Sequence, residues 1–358
     1  MKVRVPKIIE ETQALNPDYP APIQQALTEL RDNIANDGPI PMLDLPAPDC
    51  EEWAELYGPH AGETWLHSDW FFAEIYFYRL FMQAVRWWET GRDPFAPKKE
   101  EETGSAALWE FLELALAEAN LAAKLQYTLW GNRIDLSYSA GRVHGRTWAA
   151  DDFIVDDSAK VTAYLSKNHE PVHFIADNAG TELAVDLAFV DALLAAGTRQ
   201  AIYHVKMHPT FVSDSTVHDV ISFIERMKAH SQPIQALGRR LREAMTDGRL
   251  RLAPDLYWNS TRWLWDLPPR LTSLFENAAL VIVKGDANYR RVVGDALWQA
   301  DIPLALVTDY FPAPLLLMRT MKSDTVVGLQ PGQAEHLDQL DPKWRINGRR
   351  GLIQFRLR

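Results

Sequence analysis

The chain has 358 residues, of which 47% are hydrophobic and 24% charged, enough apolar material to predict a large core and two folding units. Its 37 basic and 48 acidic residues leave a net charge of −11, so we expect no nucleic-acid partner, because a phosphate-backbone binder needs a basic face. The single cysteine excludes an intramolecular disulfide, and the lack of a signal-peptide pattern or of 18 uninterrupted apolar residues predicts a cytoplasmic protein without a membrane span.

Helical patterns dominate the first part of the chain. They cover residues 23–36, 65–90 and 106–126. In the first of these, Leu27, Leu30 and Ile34 recur at helical spacing. The high density of Trp and Tyr indicates helix packing, because aromatic side chains dominate core burial. We therefore predict an all-helical N-terminal domain over residues 1–155.

Short strands alternate with helices from residue 156 onward. The predicted strands are 172–176, 201–206, 250–257, 280–283, 304–308, 325–328 and 352–355, and the predicted helices are 181–195, 216–230, 233–246 and 287–300. This alternation predicts a mostly parallel sheet with helices on both faces. We therefore expect a Rossmann-like α/β catalytic domain over residues 156–358.

Four polar clusters follow apolar strands in this second half. They are DNAGTE at 177–182, KMHPTFVSDST at 206–216, KGDANYR at 284–290 and RTMK at 319–322. Each alone has a simpler explanation, since Asp-Asn and Ser-Asp-Ser-Thr runs are common helix caps and RTMK fits a solvated helix face. Ligands of open α/β sheets gather at the carboxyl ends of the strands. The coincidence of four clusters at successive strand ends therefore favours a binding site.

The clusters contain the oxygen donors of a cation site. Asp177, Asn178 and Asp214 would offer the hard ligands that Mg²⁺ or Mn²⁺ prefers. Arg290 and Lys322 would then neutralise a bound phosphate. The sequence thus predicts cation and phosphate chemistry at these strand ends.

Taken together, the clusters resemble the damage-control phosphatases, once called domain of unknown function 89. The most similar branch is the sugar-phosphate phosphatase / acidic-residue methyltransferase-like one. The matching segments are DNAGTE at 177–182, FVSDST at 211–216, KGDANYRRVVGD at 284–295, RTMK at 319–322, LWGNRIDLS at 129–137 and EIYFYR at 74–79. The resemblance therefore covers nearly the whole chain.

The resemblance implies a metal-dependent phosphomonoester hydrolase that acts on small phosphorylated metabolites, typically hexose phosphates such as fructose 1-phosphate or fructose 6-phosphate. It assigns Asp177, Asn178 and Asp214 as metal ligands, for Mn²⁺ first and for Co²⁺, Ni²⁺ or Mg²⁺ as alternatives. It implies catalytic roles for Asp177, Asp214 and Lys322, and leaves open whether an aspartate acts as nucleophile or only as ligand. The implied substrate-binding residues are Asp177, Asn178, Glu182, Asp286, Asn288, Tyr289, Arg290 and Lys322.

Two alternatives remain at the level of sequence. One is an S-adenosylmethionine-dependent protein carboxyl methyltransferase, since Glu182 and Asp214 match positions assigned to that cofactor in a eukaryotic member of the family. Against it, the chain has no glycine-rich cofactor loop of the usual methyltransferase kind. The other is a non-catalytic protein that binds a metal or a phosphometabolite. The sequence leaves the oligomeric state open.

Overall fold

The computed structural model describes residues 1–131 and 148–358, so the part of the LWGNRIDLS segment from residue 132 onward lies outside the described residues. The chain forms two compact units. The helical unit comprises Met1–Glu101, Lys206–Thr216 and Pro254–Thr261, and the sheet unit comprises Glu102–Val205, Val217–Ala253 and Arg262–Arg358. The limits of 1–155 and 156–358, proposed from the sequence for two domains, remain a prediction.

Helices make up the chain as far as residue 130. They are α1 Arg4–Leu15, α2 Ala21–Ala35, α3 Cys50–Tyr57, α4 Trp70–Ala84, α5 Trp87–Thr90, α6 Ala96–Thr103, α7 Ala106–Ala117 and α8 Leu121–Trp130. Helix α4 is buried around its whole circumference from Phe71 to Met82, as expected of a helix that is apolar on all sides. The long helix predicted over 65–90 is interrupted at Arg86, which adopts a left-handed conformation between α4 and α5.

The second part of the chain builds the sheet. Its strands are β1 Phe153–Asp156, β2 Val172–Ile175, β3 Ala201–Lys206, β4 Leu250–Asp255, β5 Leu280–Lys284, β6 Leu315–Thr320 and β7 Gly351–Arg356, in the spatial order β1-β7-β6-β5-β2-β3-β4. The pairs β1–β7, β2–β3, β2–β5 and β5–β6 are parallel, whereas β6–β7 is antiparallel. The prediction of a mostly parallel α/β fold is confirmed.

Further helices connect the strands. They are α9 Ser158–Leu165, α10 Thr181–Ala195, α11 Val217–Arg226, α12 Gln232–Thr246, α13 Pro269–Phe275, α14 Asp286–Val293, α15 Leu304–Val307 and α16 Gln333–Leu340. Short 3-10 turns occupy Gly58–His60, Ala150–Asp152, Met227–Ala229, Leu256–Asn259 and Leu264–Asp266. Among the described residues, no helix is both long enough and apolar enough to cross a membrane.

The pairing register of β2, β5 and β6 brings the ends of these three strands to one edge of the sheet. Ile175 of β2 pairs with Val283 of β5, and Lys284 of β5 pairs with Met318 of β6. These three parallel strands therefore end nearly level with one another. The first, third and fourth of the predicted polar clusters begin at or directly after these strand ends.

Two predicted strands are wrong. Residues 304–308 contain the short helix α15 instead, and residues 325–328, of which 325–327 are buried, do not join the sheet. In that segment, the Val327 N–H donates to the Tyr289 hydroxyl and the Gly328 N–H donates to the carbonyl of Ile302. The RTMK cluster begins on strand β6 rather than on a helix face.

Candidate active site

A sharp turn joins β2 to α10. Gly180 has φ +75°, and a β-carbon built on it would lie 2.3 Å from Cδ of Glu102. One oxygen of that carboxylate accepts hydrogen bonds from the backbone N–H and the hydroxyl of Thr181, both at 2.8 Å. Glu102 therefore satisfies an N–H group at the start of α10, where a negative charge is favourable. The sequence alone did not indicate this residue.

Asn178 lies between two carboxylates of the sheet unit. Its Nδ2 donates to Oδ2 of Asp177 at 2.8 Å and to Oε2 of Glu182 at 3.0 Å. Carboxylate oxygens of ionised side chains only accept hydrogen bonds, so they must face the NH₂ group of the amide. The orientation of the Asn178 side chain is therefore determined, with Oδ1 directed away from both partners.

A buried lysine pairs with the carboxylate oxygen of Glu182 that Asn178 does not use. Lys284 Nζ lies 3.0 Å from Glu182 Oε1 and 2.6 Å from Asp186 Oδ1, and donates to the carbonyl of Thr128 at 2.6 Å. Burial alone would lower the pKa of Lys284, but the carboxylates of Asp186 and Glu182 outweigh it and raise that pKa. Lys284 is therefore a charged group in the interior, paired as such a group must be.

Asp186 completes this buried network. Its Oδ2 accepts a hydrogen bond from the Tyr203 hydroxyl at 3.1 Å. Burial raises the pKa of Asp186 to about 7, although the neighbouring Lys284 opposes that shift. Burial also raises the pKa of Tyr203 well above its ordinary value, with Asp186 adding to the effect. Tyr203 therefore acts as a hydrogen-bond donor to a carboxylate that water does not reach.

The loop after β5 packs directly against Asp177. Gly285 has φ +92°, and a β-carbon built on it would lie 2.1 Å from Cγ of Asp177. Asp286 begins α14, and its Oδ1 accepts from Arg319 Nη1 at 3.0 Å and from the backbone N–H of Lys322 at 3.2 Å. The structure thus joins the ends of β2, β5 and β6, and the Lys322 side chain is exposed beside them.

The remaining predicted substrate contacts lie on α14 and are buried. Asn288 Nδ2 donates to the carbonyls of Ala176, at 3.0 Å, and of Lys284, at 2.9 Å, and so ties two strand ends together. The Arg290 guanidinium forms two 2.7 Å bonds to the carboxylate of Asp295.

Tyr289, on the same helix, lies beneath the guanidinium of Arg319, whose central carbon is 4.0 Å from the ring centre. Its hydroxyl donates to Gln354 Oε1 at 3.3 Å. Burial raises the pKa of Tyr289, so the hydroxyl stays protonated. The roles of Asn288, Tyr289 and Arg290 in substrate binding stay a prediction.

Asp214 belongs to the helical unit. Its Oδ2 is 3.4 Å from Nζ of Lys206, and its backbone carbonyl accepts from Nζ of Lys99 at 3.1 Å. The preceding Phe211 and Val212 have φ +51° and +70°. A left-handed conformation is costly for a β-branched residue, and such strain is concentrated at functional sites. A metal site shared by Asp214 with Asp177 and Asn178 stays a prediction.

The chemistry of the donors fits a hard cation in part. Asp177 supplies carboxylate oxygens, and Asn178 supplies an amide oxygen whose orientation is determined. Within residues 1–131 and 148–358, no group of three or more His, Cys, Asp or Glu side chains could hold a metal ion. The predicted ligand set is of another kind, because one of its three members is an asparagine.

Residues 2–337 match the family model described as the damage-control phosphatase ARMT1-like domain. The chain belongs to this family. It is 31% identical to the damage-control phosphatase ARMT1 of Danio rerio, over 92% of this chain and 84% of that protein. It is 32% identical to the Rattus norvegicus protein of the same name, over 92% of this chain and 85% of the relative. The prediction of a phosphatase is confirmed by these matches.

The fold has a solved counterpart. A DUF89 family protein from Pyrococcus horikoshii aligns with 99% of this chain and 98% of its own, with a TM-score of 0.51 and 11% sequence identity. At that identity the likeness concerns the fold alone. It agrees with the α/β architecture predicted from the alternation of strands and helices.

Proposed function

We propose that this member of the damage-control phosphatase family hydrolyses small phosphorylated metabolites in the cytoplasm, with hexose phosphates such as fructose 1-phosphate or fructose 6-phosphate as first candidates. The proposed metal ligands are Asp177, Asn178 and Asp214, and Mn²⁺ is the first candidate ion. The observation that carries the proposal is the amide of Asn178, which lies between two carboxylates at the end of β2 with its orientation determined.

The chemistry needs positioning and charge neutralisation rather than covalent help from the protein. When bound, the metal would polarise the phosphoryl group and lower the pKa of a bound water. Lys322 would balance the charge that develops on the phosphoryl oxygens. Its backbone is held by Asp286 at the end of β6, which supports this role for a side chain that is itself exposed.

Substrate recognition would involve the start of α10 and α14. We propose that Glu182, Asp286, Asn288, Tyr289 and Arg290 line or support the position of the sugar phosphate. Asp177 and Asp214 would act in catalysis as metal ligands, and a nucleophilic role for either one remains the alternative. The proposed substrate is in every case a small molecule.

Phosphate release tests this function. The purified chain is assayed on a panel of hexose phosphates with Mn²⁺, Co²⁺, Ni²⁺, Mg²⁺ or a chelator. We expect metal-dependent release that falls by about a hundredfold or more in Asp177→Asn, because a metal contributes several kcal/mol to transition-state stabilisation. Asp301→Asn, at an exposed aspartate of the sheet unit, is the matched control and should retain wild-type activity.

Two results would contradict the proposal. One is the absence of phosphate release by the wild-type protein with every metal and substrate in the panel. The other is wild-type turnover by Asp177→Asn. Tight, metal-independent binding of S-adenosylmethionine in a calorimetric titration would instead favour the carboxyl methyltransferase.

A further inference from the structure

We propose that Glu182 and Lys284 are positioning residues, which hold the amide of Asn178 so that its carbonyl oxygen is the atom presented to the metal. This inference rests on the proposed function, in which Asn178 is a metal ligand. It assigns a task to a buried lysine that the proposed chemistry does not otherwise use.

An asparagine can bind a cation only through its oxygen, because the NH₂ group has donors and no acceptor for this purpose. Both N–H groups of Asn178 are taken up by carboxylates, one by Asp177 and one by Glu182. Asp177 is itself a proposed ligand, so its charge would be shared with the metal. Glu182 is therefore the partner that can hold the amide in both the metal-free and the metal-bound protein.

Glu182 can do this because its two oxygens have separate partners. Oε2 accepts from Asn178, and Oε1 lies 3.0 Å from Nζ of Lys284. Glu182 is only 2% exposed, so water does not compete for either oxygen. Its backbone is also fixed, since a β-carbon on Gly131 at the end of α8 would come within 2.8 Å of its Cα.

Lys284 is equally well fixed. Its ammonium group has three hydrogens, and three acceptors surround it: Glu182, Asp186 and the carbonyl of Thr128. The side chain is 1% exposed. A cation with no acceptor capacity forces Glu182 to present an oxygen to it, which leaves the other carboxylate oxygen for Asn178.

Glu182→Gln would remove the partner that fixes the orientation of the Asn178 amide. The new amide must direct its oxygen toward Lys284, so its NH₂ group would meet the NH₂ group of Asn178. Two donors cannot pair, and an unsatisfied buried donor costs about 1–3 kcal/mol. Turning the Asn178 amide over does not remove the conflict, because its oxygen would then face the carboxylate of Asp177. Neither orientation satisfies both neighbours, so the Asn178 oxygen is no longer held toward the metal position.

Asp186→Asn is the matched control. It makes the same oxygen-to-NH₂ change on the same helix, and Asp186 also contacts Lys284. Here the new oxygen can accept from Lys284 while the new NH₂ group faces the oxygen of Tyr203. Because Asp186 makes no bond to Asn178 among the described contacts, the amide keeps its orientation.

The test measures metal affinity and turnover separately. Mn²⁺ binding is followed by titration calorimetry and by electron paramagnetic resonance of the free ion, and phosphate release is measured over a range of Mn²⁺ concentrations. Partners that orient a metal ligand are worth about 10–100-fold in metal affinity. We expect Glu182→Gln to weaken Mn²⁺ binding by this factor, and to raise in parallel the Mn²⁺ concentration that gives half-maximal phosphate release. Asp186→Asn should bind Mn²⁺ within about twofold of wild type.

A second measurement needs no variant at position 182. In the metal-free wild-type protein, the side-chain amide protons of Asn178, assigned by their loss in Asn178→Asp, should exchange with solvent much more slowly than those of exposed asparagines. Rapid exchange would overturn the inference, even if Glu182→Gln failed to fold.

The two proposals fail in different ways. If wild-type protein neither binds Mn²⁺ nor shows metal-dependent turnover, the proposed function is wrong and this inference is wrong with it. If wild-type protein does both, and Glu182→Gln binds Mn²⁺ as tightly as Asp186→Asn, the positioning role is wrong and the proposed function stands.

Discussion

At the scale of single residues, Gly285 carries a strict requirement. Its φ of +92° and ψ of +161° belong to a region that essentially only glycine adopts, and a β-carbon there would overlap the carboxyl group of Asp177. We expect Gly285→Ala to lower the free energy of unfolding by about 1–3 kcal/mol and to lower phosphatase activity by more than about tenfold. Urea unfolding and initial rates measure the two effects.

Gly248→Ala separates backbone strain from displacement of the carboxylate. Gly248 also has a positive φ, +81°, but nothing lies within 4 Å of a β-carbon built on it. This variant should lose about 1–2 kcal/mol of stability and no activity. Wild-type turnover by Gly285→Ala, or an equal loss of activity in both variants, would contradict the assignment of Asp177 to the site.

The sequence predicted those site residues whose neighbours are close along the chain. Asp177, Asn178 and Glu182 follow one strand, and a strand end before a helix brings such residues together. Glu102 was missed because its partner, Thr181, is 79 positions away. No local pattern distinguishes Glu102 from the neighbouring acids of the same charged segment.

At the scale of elements, the start of α10 depends on Glu102. The carboxylate accepts from both the N–H and the hydroxyl of Thr181, so Glu102→Ala removes an N-terminal partner from a buried helix. We expect a loss of about 1–2 kcal/mol in the free energy of unfolding, measured in urea. Glu101→Ala, at the exposed neighbouring residue, should change it by less than about 0.5 kcal/mol. Equal stability of the two variants would rule out the capping role.

The errors among predicted strands have physical causes. Residues 304–308 are a short apolar run, and periodicity does not separate a helical turn from a strand at that length. Strand β6, Leu315–Thr320, was not predicted because Leu and Met favour helices and the run ends in polar residues. The strand forms nevertheless, because all six of its residues are buried in the sheet between β5 and β7. Tertiary packing thus decided β6 against its local preference.

At the scale of the whole molecule, buried histidines predict a loss of stability in acid. Burial lowers the pKa of His173 and of His208 to about 4, and that of His204 well below its ordinary value. His173 and His204 bond to each other at 2.9 Å across β2 and β3, and Arg251 adds a positive charge that opposes their protonation. They stay neutral in the folded chain at pH values where the unfolded chain binds protons.

The sign follows from proton linkage. Above a pH of about 6.5 these histidines are neutral in both states and have no effect, whereas below it the unfolded state binds more protons and stability falls toward the folded pKa. Each histidine should cost about 1.4 kcal/mol between about pH 7.5 and about pH 5.5. Asp186 acts in the opposite direction, because burial raises its pKa to about 7 and favours its protonated form in the folded state. Because these contributions oppose each other, the prediction compares the pH dependence of the wild-type protein with that of a variant that lacks the histidine pair.

Replacing His173 and His204 together isolates their contribution to the pH dependence of stability. The double variant His173→Leu/His204→Leu should lose about 3 kcal/mol less than wild type over this pH interval, whatever its stability at pH 7.5. Urea unfolding at several pH values measures the difference, with His169→Leu, at an exposed histidine, as the control that keeps the wild-type pH dependence. Parallel stability curves for wild type and the double variant would mean that His173 and His204 do accept protons in the folded protein. The sheet would then have to open at β2 and β3 in acid, since two charged imidazoles cannot share a 2.9 Å hydrogen bond in its interior.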